Sequence, residues 1–375
     1  MDRTSDLLRI HVSVFNFFGV WRSEDKKKDL LNYFRAFFFM VCLVSLSTVL
    51  MFVSSFQQTE FVEIIITPLY TGNAVLTMVK TLIFYIKTEK IKNFLSKLDK
   101  IPFFTEVGEK DTKISTVRKI KLLPKILGVL LTSLCSSVLL TPVILGEITT
   151  VRTLPNWYPF EWEGKVGLCS VLFIFEFSAS FTYIILHLTA DTFMACVLLI
   201  IGGQLQSLGY RLKNLPVEDA PMWRIKFKEY VANYNSILRL TREFENIFSG
   251  MIFTQTLFSC LFICLSAFAL GLANDTETYI RFLSFITSML YEVFLVCYAG
   301  DSLTGKSEKL FFDLYSSPWP DIPQDCRKMV LILSMRLNNP IVIRFGFIQS
   351  LLLQTFTKIV DAAYKLYALL QQVPE

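Results

Sequence analysis

Residues 26–56 read KKKDLLNYFRAFFFMVCLVSLSTVLMFVSSF. Three lysines precede an apolar run from about Tyr33 to Phe56, which is 24 residues. A helix rises ~1.5 Å per residue, so such a run spans the ~30 Å hydrocarbon layer of a bilayer. The run starts too late for a secretory leader and shows no clear cleavage site, so it reads as an internal first span. The lysine cluster on one side of it is a topology signal, because cytoplasmic flanks carry the excess of lysine and arginine.

The same reading extends along the chain. Further apolar runs cover about Phe61 to Tyr85, Leu122 to Leu145, Val166 to beyond Ile200 and toward Leu212, Ile247 to Leu272, and Tyr279 to Ala299. A seventh, split element follows: an amphipathic stretch from about Gln324 to Leu337, then an apolar helix from about Ile341 to Leu370. Of the 375 residues 53% are hydrophobic, only 18% are charged, and 35 are phenylalanine. A mean hydropathy of +0.48 completes a composition that excludes a soluble helical domain.

Basic residues alternate between loops. The N-terminal segment holds six (Arg3, Arg9, Arg22, Lys26, Lys27, Lys28), and the loop from Lys87 to Lys125 holds eleven. The loop from Gln204 to Asn246 holds seven, and the one from Asp301 to Phe345 holds six. Intervening loops are poor: none in the first, Arg152 and Lys165 in the third, Arg281 at the edge of the fifth. The expected fold is therefore an all-α membrane protein with seven transmembrane helices, a cytoplasmic N-terminus and an extracellular C-terminus. This orientation argues against a G-protein-coupled receptor. The net charge of +5 belongs to the topology and not to nucleic-acid binding.

Enzyme chemistry finds no support. There is no glycine-rich phosphate loop and no HExxH, and the chain has two histidines. The eight cysteines form no CxxC pair, so neither a metal site nor a disulfide framework is expected, and no cofactor. Ionisable residues within apolar runs stand out instead. His187 and Asp191 lie four apart and share a helix face, while Glu292 and Asp361 are suited to contacts between helices. In the loop before the fifth span, Phe227, Tyr230, Val231, Tyr234, Ile237, Leu238 and Leu240 follow a helical spacing, suited to packing within the subunit or against a sister subunit.

The carboxy-terminal quarter is the most specific part. Gly300, Ser307-Glu308, Tyr315-x3-Trp319, the cationic helix from Arg327 to Pro340, and the ending from Thr355-Phe356 through Ala363-Tyr364 to Leu369-Leu370 resemble the insect odorant receptor family. Length and topology extend the resemblance over the whole chain. The related gustatory receptors usually end with a Thr-Tyr pair that this chain lacks. Pro320 after Trp319 and Lys365 in the last helix depart from the family's habit. The loop before the fifth span is much shorter than in the family's shared co-receptor, so the chain resembles a tuning subunit.

The resemblance implies the insect odorant receptor channel fold and an odorant-binding subunit of a heteromeric, ligand-gated, non-selective cation channel. Its expected partners are the co-receptor in a heterotetramer, a small volatile apolar odorant, membrane lipid and permeant cations. Its expected place is the plasma membrane of the olfactory sensory neuron dendrite. Four segments follow: 1–32 as a cytoplasmic segment, 33–299 as a six-helix bundle with an outer-half ligand pocket, 300–340 as a cytoplasmic anchor, and 341–375 as the pore-lining final helix. Candidate pocket residues are Ile66, Tyr70, Asn73, Ser137, Leu140, Ile144, Phe173, Phe177, Phe181 and Met289. Tyr70 and Ser137 are suited to donate to an ester, aldehyde or alcohol oxygen. The pore constriction is expected near Leu369, Gln372 and Val373, with Lys365 one turn below Leu369. A gustatory receptor subunit and, more remotely, a secondary transporter remain the alternative readings.

Overall fold

The computed structural model of the chain describes residues 4–22, 26–58, 61–101, 114, 116–122, 125–126, 128, 154–162, 164–215, 220–272, 276–346 and 349–371. Among these, ten α-helices dominate: α1 (Arg9–Phe17), α2 (Lys26–Ala36), α3 (Leu46–Ser54), α4 (Phe61–Ile86), α5 (Thr88–Asp99), α6 (Val166–Lys213), α7 (Ala220–Gly271), α8 (Thr276–Tyr315), α9 (Gln324–Leu337) and α10 (Leu353–Leu370). A wide-turned π-helical stretch, Phe37–Ser45, joins α2 to α3 into one continuous rod. Two short strands, β1 (Arg344–Phe345) and β2 (Gln349–Ser350), pair antiparallel ahead of α10. Five of the described helical segments are long and apolar enough to cross a membrane: Asp29–Ser54, Glu63–Ile86, Val166–Lys213, Ala220–Gly271 and Thr278–Tyr315. The chain is thus an all-α, multi-pass membrane fold. The expected third span lies outside the described residues.

α6 is the mast of the bundle. Every residue from 189 to 205 is buried, so the helix is enclosed on all sides. It packs along α8 over most of its length and also touches α1, α4 and α7. An aromatic knot joins four of these elements: Phe15 of α1 stacks 4.6 Å from Phe84 of α4, which meets Phe193 of α6 at 5.4 Å and Phe248 of α7 at 5.7 Å. Offset and edge-on contacts of this kind each add about 0.5–1.5 kcal/mol to the burial itself. The N-terminal segment is docked by the same knot and by a hydrogen bond between His11 Nε2 and Thr192 Oγ1 at 3.1 Å. Burial pushes the His11 imidazole down to about 4, so this docking is made with a neutral ring.

The helices outrun the apolar windows that announce them. α7 begins at Ala220 and not near Ile247, and α8 runs through the expected boundary at 299/300 to Tyr315. Hydropathy locates the lipid-facing part of a helix, whereas the hydrogen-bonded rod continues as an amphipathic helix beyond it. There Phe227, Tyr230, Tyr234, Ile237 and Leu240 form the buried face. α9 has the bounds read from its amphipathic pattern.

The final helix starts later than the sequence suggests. Instead of a helix from Ile341, residues 341–346 and 349–352 form a non-helical link in which β1 pairs with β2. Pro340 breaks the preceding helix, and Gly346 turns the chain at φ 61°, a region that favours glycine. The backbone of this link is fastened to the bundle by side chains. The Ile341 N–H donates to Ser307 Oγ at 2.9 Å, the Arg344 N–H to Glu245 Oε1 at 2.7 Å, and the Leu353 N–H to Asp301 Oδ1 at 3.3 Å. Gly300 of α8 lets the link come close, because a Cβ there would collide with the Leu351 carbonyl and lie 2.8 Å from Leu351 Cγ.

Gly300→Ala should therefore cost about 1–3 kcal/mol by forcing backbone apart. Gly305→Ala, on the same helix with nothing within 4 Å of its Cβ position, should instead gain about 0.5–1 kcal/mol from helix propensity. Thermal melting of detergent-solubilised receptor measures both, and equal effects would contradict the packing described.

Candidate functional site

Three features of the bundle bring chemistry-bearing residues together. The first is a cavity between α4 and α8, lined by Ile66, Leu69 and Tyr70 from α4 and by Arg281, Phe282 and Phe285 from α8. Residues 66, 69 and 70 share one face of α4, and 282 and 285 share one face of α8. The Tyr70 ring meets Phe285 edge-on at 5.8 Å, and Phe285 lies 6.2 Å from Phe262 of α7. The Arg281 guanidinium interacts with the Glu63 carboxylate one turn above Ile66. The cavity is about 10 Å³, room for roughly one water. The apolar cluster around it includes Met289 of α8 and reaches α10, where Ala363 is a member and Tyr367 and Leu370 pack against it.

Of the residues nominated for the pocket, Ile66 and Tyr70 line this cavity and Met289 belongs to its apolar cluster. Asn73 sits one turn below Tyr70, its side-chain oxygen buried and without a hydrogen-bond partner among the described residues. Phe173, Phe177 and Phe181 form a separate stacked row along α6, with centroids 6.1 and 6.4 Å apart, and do not line the cavity. Phe181 is exposed. Ser137, Leu140 and Ile144 lie outside the described residues. Leu69, Arg281, Phe282 and Phe285 were not anticipated, although Phe282, Phe285 and Met289 recur at helical spacing in the sequence.

The second feature is a buried ionic set further along the same helices. Lys80 Nζ of α4 lies 2.9 Å from Asp191 Oδ1 of α6 and 2.6 Å from Glu292 Oε1 of α8. His187 of α6 places Nε2 2.7 Å from Glu292 Oε1 and Nδ1 2.9 Å from Thr77 Oγ1. The side chains of Lys80, Asp191 and Glu292 are 2%, 4% and 6% exposed. The four-residue spacing of His187 and Asp191 anticipated that those two share a face, and Glu292 does bridge helices. Lys80 went unread, though it is the lone basic residue within the apolar run of α4. Removing one partner of such a buried pair typically costs about 3–5 kcal/mol, because the other charge is left without solvation. His187, Asp191 and Glu292 also have the composition of a metal site, their ligand atoms lying within 4.8 Å of one another. The Lys80 ammonium already occupies the place between them.

The third feature is the outer face of α10. Thr355, Ile359 and Ala363 are buried against the bundle, whereas Gln354, Thr357, Lys358, Asp361 and Lys365 are exposed. These exposed positions recur every three or four residues and form one polar stripe. Lys365 Nζ pairs with Asp361 Oδ2 at 2.7 Å, both side chains being more than half exposed. Leu369 is exposed and continues the stripe. Gln372 and Val373 lie outside the described residues.

Comparison with known proteins matches this arrangement to one family. A model described as 7tm Odorant receptor matches residues 60–364. Odorant receptor 46a, isoform B, of Drosophila melanogaster is 24% identical over 391 aligned residues, covering 99% of both chains. The insect olfactory receptor OR5 of Machilis hrabei superposes with a TM-score of 0.83 at 16% identity, and its complex with eugenol with 0.84 at 17%. In each case 98% of both chains is covered, so the whole fold is shared. With the family model spanning most of its length, the chain belongs to the insect odorant receptor family.

Proposed function

We propose that this chain is an odorant-binding subunit of a ligand-gated, non-selective cation channel, assembled with the odorant receptor co-receptor as a heterotetramer. In this reading it crosses the plasma membrane of the olfactory sensory neuron dendrite seven times, with its N-terminus inside and its C-terminus outside. The observation that carries the reading is the polar stripe of α10. Lipid offers no hydrogen bonds to Gln354, Thr357, Lys358, Asp361 and Lys365, and a charged side chain at mid-bilayer is costly. A helix with one buried apolar face and one exposed polar face needs water on the polar side, which a lumen shared with sister subunits supplies.

The cavity between α4 and α8 supplies the ligand site. A volume of about 10 Å³ does not admit a volatile molecule of several carbons. Binding must therefore part α4 from α8 and favour an expanded conformation by differential affinity. Ala363, Tyr367 and Leu370 pack in the same apolar cluster, so expansion there shifts α10. Aromatic walls with Tyr70 as a polar handle suit an aromatic or aliphatic odorant bearing one oxygen. Eugenol, held by a receptor with the same fold, is an oxygenated aromatic of this general kind.

The Asp361–Lys365 pair resolves the presence of a lysine on the lumen face of a cation pathway. Four unscreened ammonium groups would oppose cation entry, whereas each lysine here carries its own counter-ion one turn away.

Odorant-panel recordings from cells expressing the chain with and without the co-receptor test the reading. A rapid cation current that needs both chains is expected, and silence with confirmed surface assembly and a broad panel would contradict it. Within a responding channel, Lys365→Gln should raise single-channel cation conductance about twofold, from the loss of one charge ~8 Å from the ion path in water. Asp361→Asn, which strips the lysine of its counter-ion, should lower it; unchanged conductance in both would remove these residues from the pore. At the cavity, Ile66→Trp should raise the half-maximal odorant concentration at least about tenfold by filling the space. Tyr70→Phe should raise it roughly three- to tenfold for oxygenated odorants only, the value of one hydrogen bond.

A further inference from the structure

We infer that Lys80, His187, Asp191 and Glu292 form a buried site that binds one proton in common and clamps α4, α6 and α8 together beneath the ligand cavity. Two independent observations point to it.

The first is hydrogen-bond accounting. The Thr77 hydroxyl donates its single proton to the Asn73 carbonyl at 2.9 Å. The same oxygen lies 2.9 Å from His187 Nδ1, and while its proton stays on the Asn73 carbonyl, Nδ1 carries a hydrogen and donates to it. A neutral ring with its hydrogen on Nδ1 leaves only a lone pair on Nε2. That nitrogen faces Glu292 Oε1 at 2.7 Å, and two lone pairs do not meet at this distance. In that arrangement one further proton lies in the contact, on Nε2 or on Oε1. Both placements are compatible with Lys80, whose three N–H groups reach Asp191, Glu292 and the imidazole edge.

The second observation is charge. Lys80 with two carboxylates sums to −1, and this charge would sit among side chains only a few per cent exposed. A net charge buried at this depth is strongly disfavoured. The added proton makes the set neutral, so the electrostatic count calls for the single proton that this hydrogen-bond arrangement accommodates.

The surroundings isolate the set. The charged groups acting on Lys80, Asp191 and Glu292 are its own members, with none from α7 or α10 among the described residues. α1 brings His11 to Thr192, next to Asp191 in the chain, and that imidazole stays neutral above about 4. Tyr183, one turn above His187, donates its hydroxyl to the Val44 carbonyl at 2.8 Å. The set also stands on the helices that form the cavity wall: Lys80 follows Tyr70 on α4, and Glu292 follows Phe285 on α8. A movement that parts these helices at the cavity acts on the Lys80–Glu292 contact, and proton loss weakens the adjoining His187–Glu292 contact between α6 and α8.

The test needs no odorant and does not depend on the channel reading. Thermal melting of the full-length, detergent-solubilised receptor is followed from about pH 6.5 to about pH 8.5, above the ordinary imidazole range. The folded set holds a proton that the unfolded chain gives up in this range, so wild-type stability should fall as pH rises. One proton released on unfolding corresponds to about a tenfold change in the unfolding equilibrium per pH unit. Glu292→Gln leaves Lys80 balanced by Asp191 with a neutral imidazole, so it should fold and should lose this pH slope. His187→Gln leaves a net negative charge and should melt lower than wild type throughout. The double variant His187→Gln/Glu292→Gln restores neutrality and should recover most of that loss. A flat wild-type profile, an unchanged slope in Glu292→Gln, failure of that variant to fold, or a double variant no better than His187→Gln would each overturn the proposal.

Discussion

Backbone inside a bilayer has no solvent to bond with, and this constraint shapes every described element of the molecule. The response is a set of long helices gathered around α6, which is buried on all sides from residue 189 to residue 205. Because α6 meets no lipid there, its polar side chains can be answered only by neighbouring helices. His187 and Asp191 are answered by Lys80 of α4 and Glu292 of α8, and Thr192 by His11 of α1. The enclosure of one helix thus decides where the ionic contacts of the bundle fall.

Packing density sets how motion is passed on. The cavity is small, and the apolar cluster around it is continuous with the inner face of α10 through Ala363. Close-packed side chains do not compress, so a molecule entering between α4 and α8 displaces whole helices. The link before α10 restricts the outcome. Its backbone is tied to Ser307, Glu245 and Asp301, which holds the start of α10 while leaving its far end free to swing. In the proposed gating, a fixed lower end and a cavity-coupled upper end would let α10 act as a lever.

Much of this was legible in the sequence, and the omissions have physical causes. Apolar length and basic loops gave the helical segments and their order, and the amphipathic pattern gave α9 its bounds. Hydropathy overlooked the extensions of α7 and α8, because a helix that leaves lipid continues on amphipathic spacing and not on apolar content. It also carried the last helix too far toward its start: IVIRFGFIQSLLL, residues 341–353, is apolar on average, and Gly346 marks the turn. Of the residues nominated for a pocket, Ile66 and Tyr70 line this cavity, while the stacked phenylalanines of α6 do not. Aromatic content signals burial or lipid contact equally well, so it cannot select a cavity wall without knowledge of helix rotation. Lys80 was missed for the opposite reason: its partners come from residues more than a hundred positions away, which no local spacing connects.

The central claim is that α10 presents its polar stripe to a water-filled path. Cysteines placed singly at Thr357, Asp361, Lys365, Ile359 and Ala363, in receptor expressed with its co-receptor, test it through block of odorant-evoked current by a charged, membrane-impermeant thiol reagent. The account predicts block at 357, 361 and 365 and protection at 359 and 363. Uniform protection of the polar positions, or block at the buried ones instead, would contradict it.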